Sequence, residues 1–286
     1  MYRGCMSRRA GFAVVIASMC VTLFVGCHAN GCPAGGVRTT VLPLPSPAAA
    51  NEAGKSAASD AAPTVPAGPV RLVTVVAGAG TLHITGGSTE LSATGNVCAP
   101  DSETAAQVEL LSYIKEDSAY VEAAFPFTLA GSHSTLNLRV RMPKQLPVSV
   151  INKSGNVDIE RVASVSMADL GGNLAIRNIA GSVTITRSST GNVLIQDISG
   201  TAAVQQDLGG KLTVKGVGGN VVLQRTDTVD IAISNVQGDV VIWNDGPGDI
   251  DVRNVRGDLF VQADHGGKLT YHGIQGTVHL PEPGGF

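Results

Sequence analysis

Between residues 155 and 280, apolar and polar positions fall on a grid. Leu174, Ile176, Ile179, Val183 and Ile185 recur nineteen residues later as Val193, Ile195, Ile198, Ala202 and Val204, and the series runs on to Leu269, Tyr271, Ile274, Val278 and Leu280. Within a unit, Leu174/Ile176 and Val183/Ile185 alternate with polar neighbours at a period of two, the signature of a strand with one buried face. Each unit therefore predicts two short strands joined by two turns, and no helical period competes. A unit this small cannot bury its apolar face alone, so the units must stack. The pattern predicts an all-β chain forming a β-solenoid (β-helix) of six to seven two-strand rungs over residues 152–280. With strands about 4.8 Å apart, the coil is a rod roughly 30 Å long.

Glycine punctuates the same grid. Gly181, Gly200, Gly219, Gly238, Gly257 and Gly276 form one column; Gly172, Gly191, Gly210, Gly248 and Gly267 form a second, interrupted at Val229. The turn between the two strands carries Asn178, Asp197, Gly216, Asn235, Asn254 and Gly273 at one place. Those three residue types tolerate a left-handed backbone, which predicts a repeated tight turn there.

Upstream, residues 70–151 keep strand-like alternation but lose the period. Runs 71–76, 81–85, 107–114, 119–127 and 136–141 are strand candidates, the last ending at the turn signal Met142-Pro143. This segment is expected to open the solenoid or cap it, because an uncovered first rung exposes unpaired strand groups. A separate small β domain is the alternative. Residues 27–69, rich in Ala, Pro, Ser and Gly with Leu42-Pro43-Leu44-Pro45 and Ala48-Ala49-Ala50, carry too little apolar side chain to offset ordering entropy. They are expected to be a disordered tether. Residues 281–286 form a tail.

The first 26 residues read as a signal peptide: Arg3, Arg8 and Arg9 precede an uncharged apolar run from Phe12 to Gly26. The run ends Leu23-Phe24-Val25-Gly26-Cys27, which resembles the bacterial lipoprotein box. That resemblance implies cleavage before Cys27, lipidation of Cys27 and a membrane anchor. His28 rather than Asp at the next place implies the outer membrane of a Gram-negative envelope, with the folded part facing periplasm or surface. Cleavage after Ala29 and a retained single-pass anchor are the alternatives. Cys5 and Cys20 would leave with the signal, and export then makes a Cys32–Cys98 disulfide available, against two unpaired thiols.

The strand 136–141, Met142-Pro143, Val148-Ser149-Val150, Gly155-Asn156-Val157-Asp158-Ile159 and the repeated Gly-x-(Val/Leu/Ile)-x-(Ile/Val) units together resemble the bacterial putative adhesin domain family. These are β-strand-repeat envelope proteins without a settled function. The resemblance spans roughly residues 70–280. It implies a non-enzymatic adhesin-like or structural role and brings no catalytic residues to carry over.

Composition changes little. Twenty Lys+Arg against 23 Asp+Glu give a net charge of -3, which excludes a strongly basic nucleic-acid binder as the default. The 35 glycines against 4% aromatics suit tight turns.

The sequence places its chemistry sparsely. Asp245, Asp249, Asp251, Arg253 and Asp264 are the best carboxylate cluster for a glycan-processing β-helix enzyme, the alternative function. Asp245 and Asp264, however, share a column with Asp169, Ser188, Asp207 and Thr226, all turn formers expected to bond their own turns. Asp249 shares a mixed-sign column with Asn173, Asn192, Lys211, Asp230 and Lys268, which suits a solvated face. His265, His272 and His279 lie seven apart, off the rung period, so no metal site or cofactor is expected. A periplasmic sensor or scaffold fits the sequence equally well.

One surface feature is distinct. The outward column Thr184, Ala203, Val222, Val241, Phe260, His279 adjoins Thr186, Gln205, Gln224, Trp243, Gln262. Val222, Val241, Trp243 and Phe260 should form an exposed apolar stripe, a candidate contact for an envelope protein or glycan. The alternative is that the segment before Gly155, or the tail, covers it. The opposite outer face is polar: Arg177, Gln196, Lys215, Ser234, Arg253, His272.

Overall fold

The computed structural model describes residues 32–44, 69–125 and 134–281, apart from 170, 190, 228–229, 244–245 and 263–265. The signal peptide, Cys27 and the tail beyond 281 lie outside the described residues, as does most of the expected tether.

In the irregular part the chain forms β1 (Ala34–Leu42), β2 (Leu72–Ala79), β3 (Leu82–Gly86), β4 (Leu91–Ala99), α1 (Ser102–Gln107), β5 (Glu109–Lys115), β6 (Ser118–Ala124), β7 (Thr135–Met142) and β8 (Val148–Ser154). The repeats follow as β9 (Val157–Glu160) and β10 (Val165–Asp169), β11 (Leu174–Ile179) and β12 (Val183–Arg187), then β13 (Val193–Ile198) and β14 (Ala202–Asp207). They continue as β15 (Lys211–Val217) and β16 (Val221–Thr226), β17 (Asp230–Val236) and β18 (Val240–Ile242), β19 (Asp249–Val255) and β20 (Leu259–Val261), then β21 (Leu269–Ile274) and β22 (Val278–His279).

Two eleven-stranded sheets result. Sheet A runs β1-β4-β7-β3-β9-β11-β13-β15-β17-β19-β21, and sheet B runs β22-β20-β18-β16-β14-β12-β10-β8-β2-β6-β5. From β9 onward the pairing between rungs is parallel, and from β11 and β12 onward it keeps the nineteen-residue register, as in Ile176↔Ile195↔Val214↔Ile233↔Val252↔Tyr271. The chain is a β-solenoid whose core is the stacked apolar grid: Leu174, Ile176, Ile179, Val183 and Ile185 are each at most 1% exposed, and so are their counterparts Leu212, Val214, Val217, Val221 and Leu223.

The turn column behaves as its residue types predict. Asn178, Asp197, Gly216, Asn235, Asn254 and Gly273 all have φ between 55° and 69°. The two glycine columns have different causes. Gly210 has φ +84°, and a Cβ there would also strike the carbonyl of Gly191 one rung below. Gly257 has an ordinary φ, but a Cβ on it would collide with Gly238, whose carbonyl accepts its N–H at 3.1 Å. The first column answers to backbone conformation and close approach, the second to close approach alone.

Residues 70–151 belong to the same stack. β2 pairs parallel with β8 and β6, and β3 pairs parallel with β7 and β9. Antiparallel strands then finish the end: β4 on β7, β1 on β4, and β5 on β6. A hydrogen bond between Thr40 Oγ1 and Ser112 Oγ joins the outermost strands of the two sheets, and α1 packs beside them.

The tether expectation fails for Ala34–Leu42, which is a nine-residue strand in full register with β4. Its alternation is inverted: Arg38 and Thr40 point inward at 7% and 4% exposure, whereas Val41 is 53% exposed. Burial of Arg38 is made tolerable by hydrogen bonds, Nε to the Val108 carbonyl at 3.1 Å and Nη2 to the Ala105 carbonyl at 2.9 Å. Cys32 and Cys98 form a disulfide with Cα atoms 5.5 Å apart, which fixes the start of β1 against the end of β4. Closing a loop of 66 residues removes, in the chain-entropy picture, about 4 kcal/mol of freedom from the unfolded chain.

Candidate interaction surface

The outer face of sheet B carries the expected apolar column. The parallel register places Thr184, Ala203, Val222, Val241, Phe260 and His279 side by side on successive strands. Strand alternation turns them outward, because Val221/Leu223, Val240/Ile242 and Leu259/Val261 on either side are buried. Trp243 lies just past β18, but its N–H still donates to the Leu223 carbonyl at 2.9 Å, so the ladder continues and fixes the indole beside the column. Gln262 is held likewise by the Ile242 carbonyl at 2.9 Å.

The rings touch. Trp243 and Phe260 centroids are 6.0 Å apart at 60°, an edge-to-face pair, and Phe260 and His279 are 6.1 Å apart. Trp243 is 47% exposed, and Val222, Val241 and Phe260 are half-buried. Exposed glutamines, Gln205, Gln224 and Gln262, border the patch. The four candidate residues Val222, Val241, Trp243 and Phe260 are therefore contiguous, on the three successive rungs of β16, β18 and β20.

A second aromatic pair was not foreseen. Tyr113 and Tyr120 stack at 5.0 Å on β5 and β6, at the other end of the same sheet, with Leu111 40% exposed beside them. Their register, Tyr113↔Tyr120, depends on an antiparallel pairing outside the repeat, and no sequence period points to it.

Among the described residues the enzyme candidates Asp249, Asp251 and Arg253 do not converge on one site. Asp251 and Arg253, both on β19, form an exposed ion pair at 2.8 Å. Asp249 Oδ1 accepts the Lys268 N–H of the next rung at 2.8 Å. The same bond recurs lower in that column, Asn173 Oδ1 accepting from the Asn192 N–H and Asn192 Oδ1 from the Lys211 N–H. The column is thus a hydrogen-bond ladder between rungs rather than simply a solvated face. Asp245, Asp264 and His265 lie outside the described residues.

The third corner departs from expectation more sharply. Ser188, Asp207 and Thr226 are each 0% exposed rather than at the surface, as is Asn152 where the column begins, although Asp207 still meets the N–H groups of its own turn, Leu208 and Gly209. Burial raises the Asp207 carboxyl to about 6, opposed by the Gly209 N–H, the Ser188 hydroxyl and the Leu208 N–H, while the Asp227 charge raises it further.

His272 and His279 sit on different sheets, and the described residues contain no cluster of three potential metal ligands. Two shallow grooves lie along turns of the coil. One of about 460 Å³ is lined by Asn235, Gln237, Asn254, Arg256 and Gln275 without a carboxylate. The other, of about 410 Å³, contains Asp158, whose oxygens are held by Arg177 at 2.7 Å and His83 at 3.3 Å. Among the described residues no helix is long and apolar enough to cross a membrane.

No protein-family model matches the chain, and no curated protein does. Solved structures give distant likenesses. A putative cell adhesion protein from Clostridium sporogenes is 9% identical, with 87% of this chain and 99% of that one covered and a TM-score of 0.31. A putative lipid binding protein from Parabacteroides distasonis is 12% identical over 74% and 92%, with a TM-score of 0.26. A putative adhesin from Parabacteroides merdae is 10% identical over 85% and 95%, with a TM-score of 0.25.

Proposed function

We propose that this chain is a non-enzymatic cell-envelope lipoprotein, anchored through Cys27, whose β-solenoid acts as an adhesin-like or structural interaction module. The observation that carries the reading is the Trp243–Phe260–His279 ring cluster, held open on a regular sheet. Packing does not require a tryptophan there: rungs lower in the stack place Gln205 and Gln224 at its position. Flat rings bordered by amides suit an envelope glycan or another β surface, since one side of such a partner is apolar and its edge is polar. The carboxylates that an enzyme would need are instead tied into rung-to-rung hydrogen bonds and a surface ion pair.

Two measurements test the reading. Purified full chain is incubated with isolated sacculi and outer-membrane vesicles, and Trp243→Ala/Phe260→Ala should bind at least about tenfold more weakly, as loss of a small aromatic hot spot does. Unchanged binding of the double variant removes the patch from the function. Fractionation of producing cells should recover wild type with membranes and Cys27→Ser in the soluble fraction; a membrane-bound Cys27→Ser chain sinks the lipid anchor.

A further inference from the structure

The outer face of sheet A has a depression in its middle, away from both ends of the rod. Ala175 on β11 lies midway between Asn173 and Arg177, and strand alternation turns all three outward. Its neighbours across the ladder are Asp158 on β9 and Leu194 on β13. The short alanine side chain leaves the floor of the groove of about 410 Å³ open at this point, with Leu194 half-buried beside it.

The two walls are held by different bonds. On one side Asn156 Oδ1 accepts the Asn173 N–H at 3.0 Å, Asn173 Oδ1 the Asn192 N–H at 2.9 Å, and Asn192 Oδ1 the Lys211 N–H at 3.0 Å. With each oxygen committed to the next rung, each Nδ2 keeps its N–H donors without an acceptor among the described residues. The asparagines are exposed and stand on successive strands, so the donors form a row with a step of about 4.8 Å. On the other side Arg177 Nη1 donates to Asp158 Oδ1 at 2.7 Å. His83 Nδ1 lies 3.3 Å from Asp158 Oδ2, and its Nε2 meets Thr85 Oγ1 at 2.9 Å. The Asp158 carboxylate is thus fixed in the groove and keeps lone pairs for a hydroxyl.

We infer that this groove is a second binding site, for a linear, uncharged chain of β-1,4-linked, N-acetylated sugars. The row of amide donors calls for carbonyl acceptors on the ligand. Ala175 and Leu194 call for a methyl group or the apolar face of a ring, and Asp158 for hydroxyl donors. An acetamido sugar carries all three. Spacing argues against an extended peptide, whose carbonyls on one side recur at about 6.6 Å. A pyranose chain advances by nearly one rung per sugar. Successive β-1,4-linked sugars turn over, so their acetamido carbonyls reach the same wall at every second rung. Asn156 and Asn192 stand two rungs apart, about 9.6 Å. An acidic polymer gains little here, because the Arg177 charge is already matched by Asp158 on the floor. The site lies on the face opposite the aromatic patch of sheet B and stands independently of it.

Isothermal titration of the full chain in mild detergent tests the site with two soluble probes. Tetra-N-acetylchitotetraose should bind saturably and at least about tenfold more tightly than cellotetraose, which has the same linkage and length but no acetamido groups to meet the amide donors. Ala175→Gln fills the floor and should abolish the binding. Ala232→Gln makes the same change in the same outward column three rungs on and should leave it intact. Both positions face outward, so neither variant disturbs the core. Failure of the acetylated probe to bind, equal affinity for the two tetrasaccharides, binding that survives Ala175→Gln, or binding lost equally in Ala232→Gln overturns the site. None of these outcomes depends on whether the Trp243–Phe260 patch has a partner.

Discussion

Val214→Asp should lower the stability of the rod by roughly 4 kcal/mol, and Thr213→Asp one residue away should cost less than about 1. Val214 is 0% exposed on β15, stacked between Ile195 below and Ile233 above. Replacing it removes about 2 kcal/mol of apolar burial and leaves a carboxyl with no partner inside a dry column, a further penalty of about 2. Thr213 points outward between Leu194 and Ala232, where a carboxylate meets water; the one like charge on that face of the adjoining strands, Asp230, lies diagonally across and opposite Lys211. Urea denaturation followed by circular dichroism makes the comparison. Equal midpoints for the two variants would show that the inward and outward columns are assigned the wrong way round. Because each rung contacts mainly its neighbours, the loss at rung β15–β16 should also weaken the rungs on both sides.

The repeat was legible because one physical constraint writes itself many times. Each rung must bury the same five positions and turn the same corner, so Ile176, Ile195, Val214, Ile233 and Val252 repeat, and so does the left-handed Asn/Asp/Gly column. The aromatic column was legible for the same reason: Val241, Phe260 and His279 inherit their outward direction from buried neighbours that the period identifies. Where the period stops, the signal weakens. β1 lies in a stretch whose Ala, Pro, Ser and Gly content points to a tether, and because it turns Arg38 and Thr40 inward and Val41 outward its alternation does not counter that signal. β4, with Ala93, Thr94, Gly95 and Asn96 at its centre, has little strand propensity, and it is held by β7 and β1 on either side. The hydrogen-bond ladders of Asn173, Asn192 and Asp249 were hidden for another reason. A side chain that caps the next rung's N–H looks in sequence like any polar turn residue.

The buried corner gives the second large effect. Stability of the wild type should fall as pH rises from about 4 to about 6, and Asp207→Asn should abolish that component. The Asp207 carboxyl is raised from 3.8 to about 6, chiefly by burial. Between those values the folded chain holds a proton that the unfolded chain has released, so folding takes up a proton and rising pH opposes it. The stabilising contribution is complete below about pH 4 and lost above about pH 6. A displacement of about two pH units corresponds to about 3 kcal/mol. Asparagine keeps the shape of the side chain and still offers a carbonyl to the Gly209 N–H and the Ser188 hydroxyl, but it carries no charge into the stack. At pH 7.5 Asp207→Asn should therefore be more stable than wild type by up to that amount, and at pH 4 the two should coincide. Other carboxylates titrate equally in both chains, so the difference between their stability curves isolates this corner. Denaturation midpoints at half-unit steps from pH 4 to 8 decide it: curves that run parallel would mean that Asp207 is already relieved of its charge or fully compensated where it sits. The expected convergence at low pH would instead mark the corner column as a place where the solenoid tolerates a carboxyl at neutral pH at the expense of its own stability.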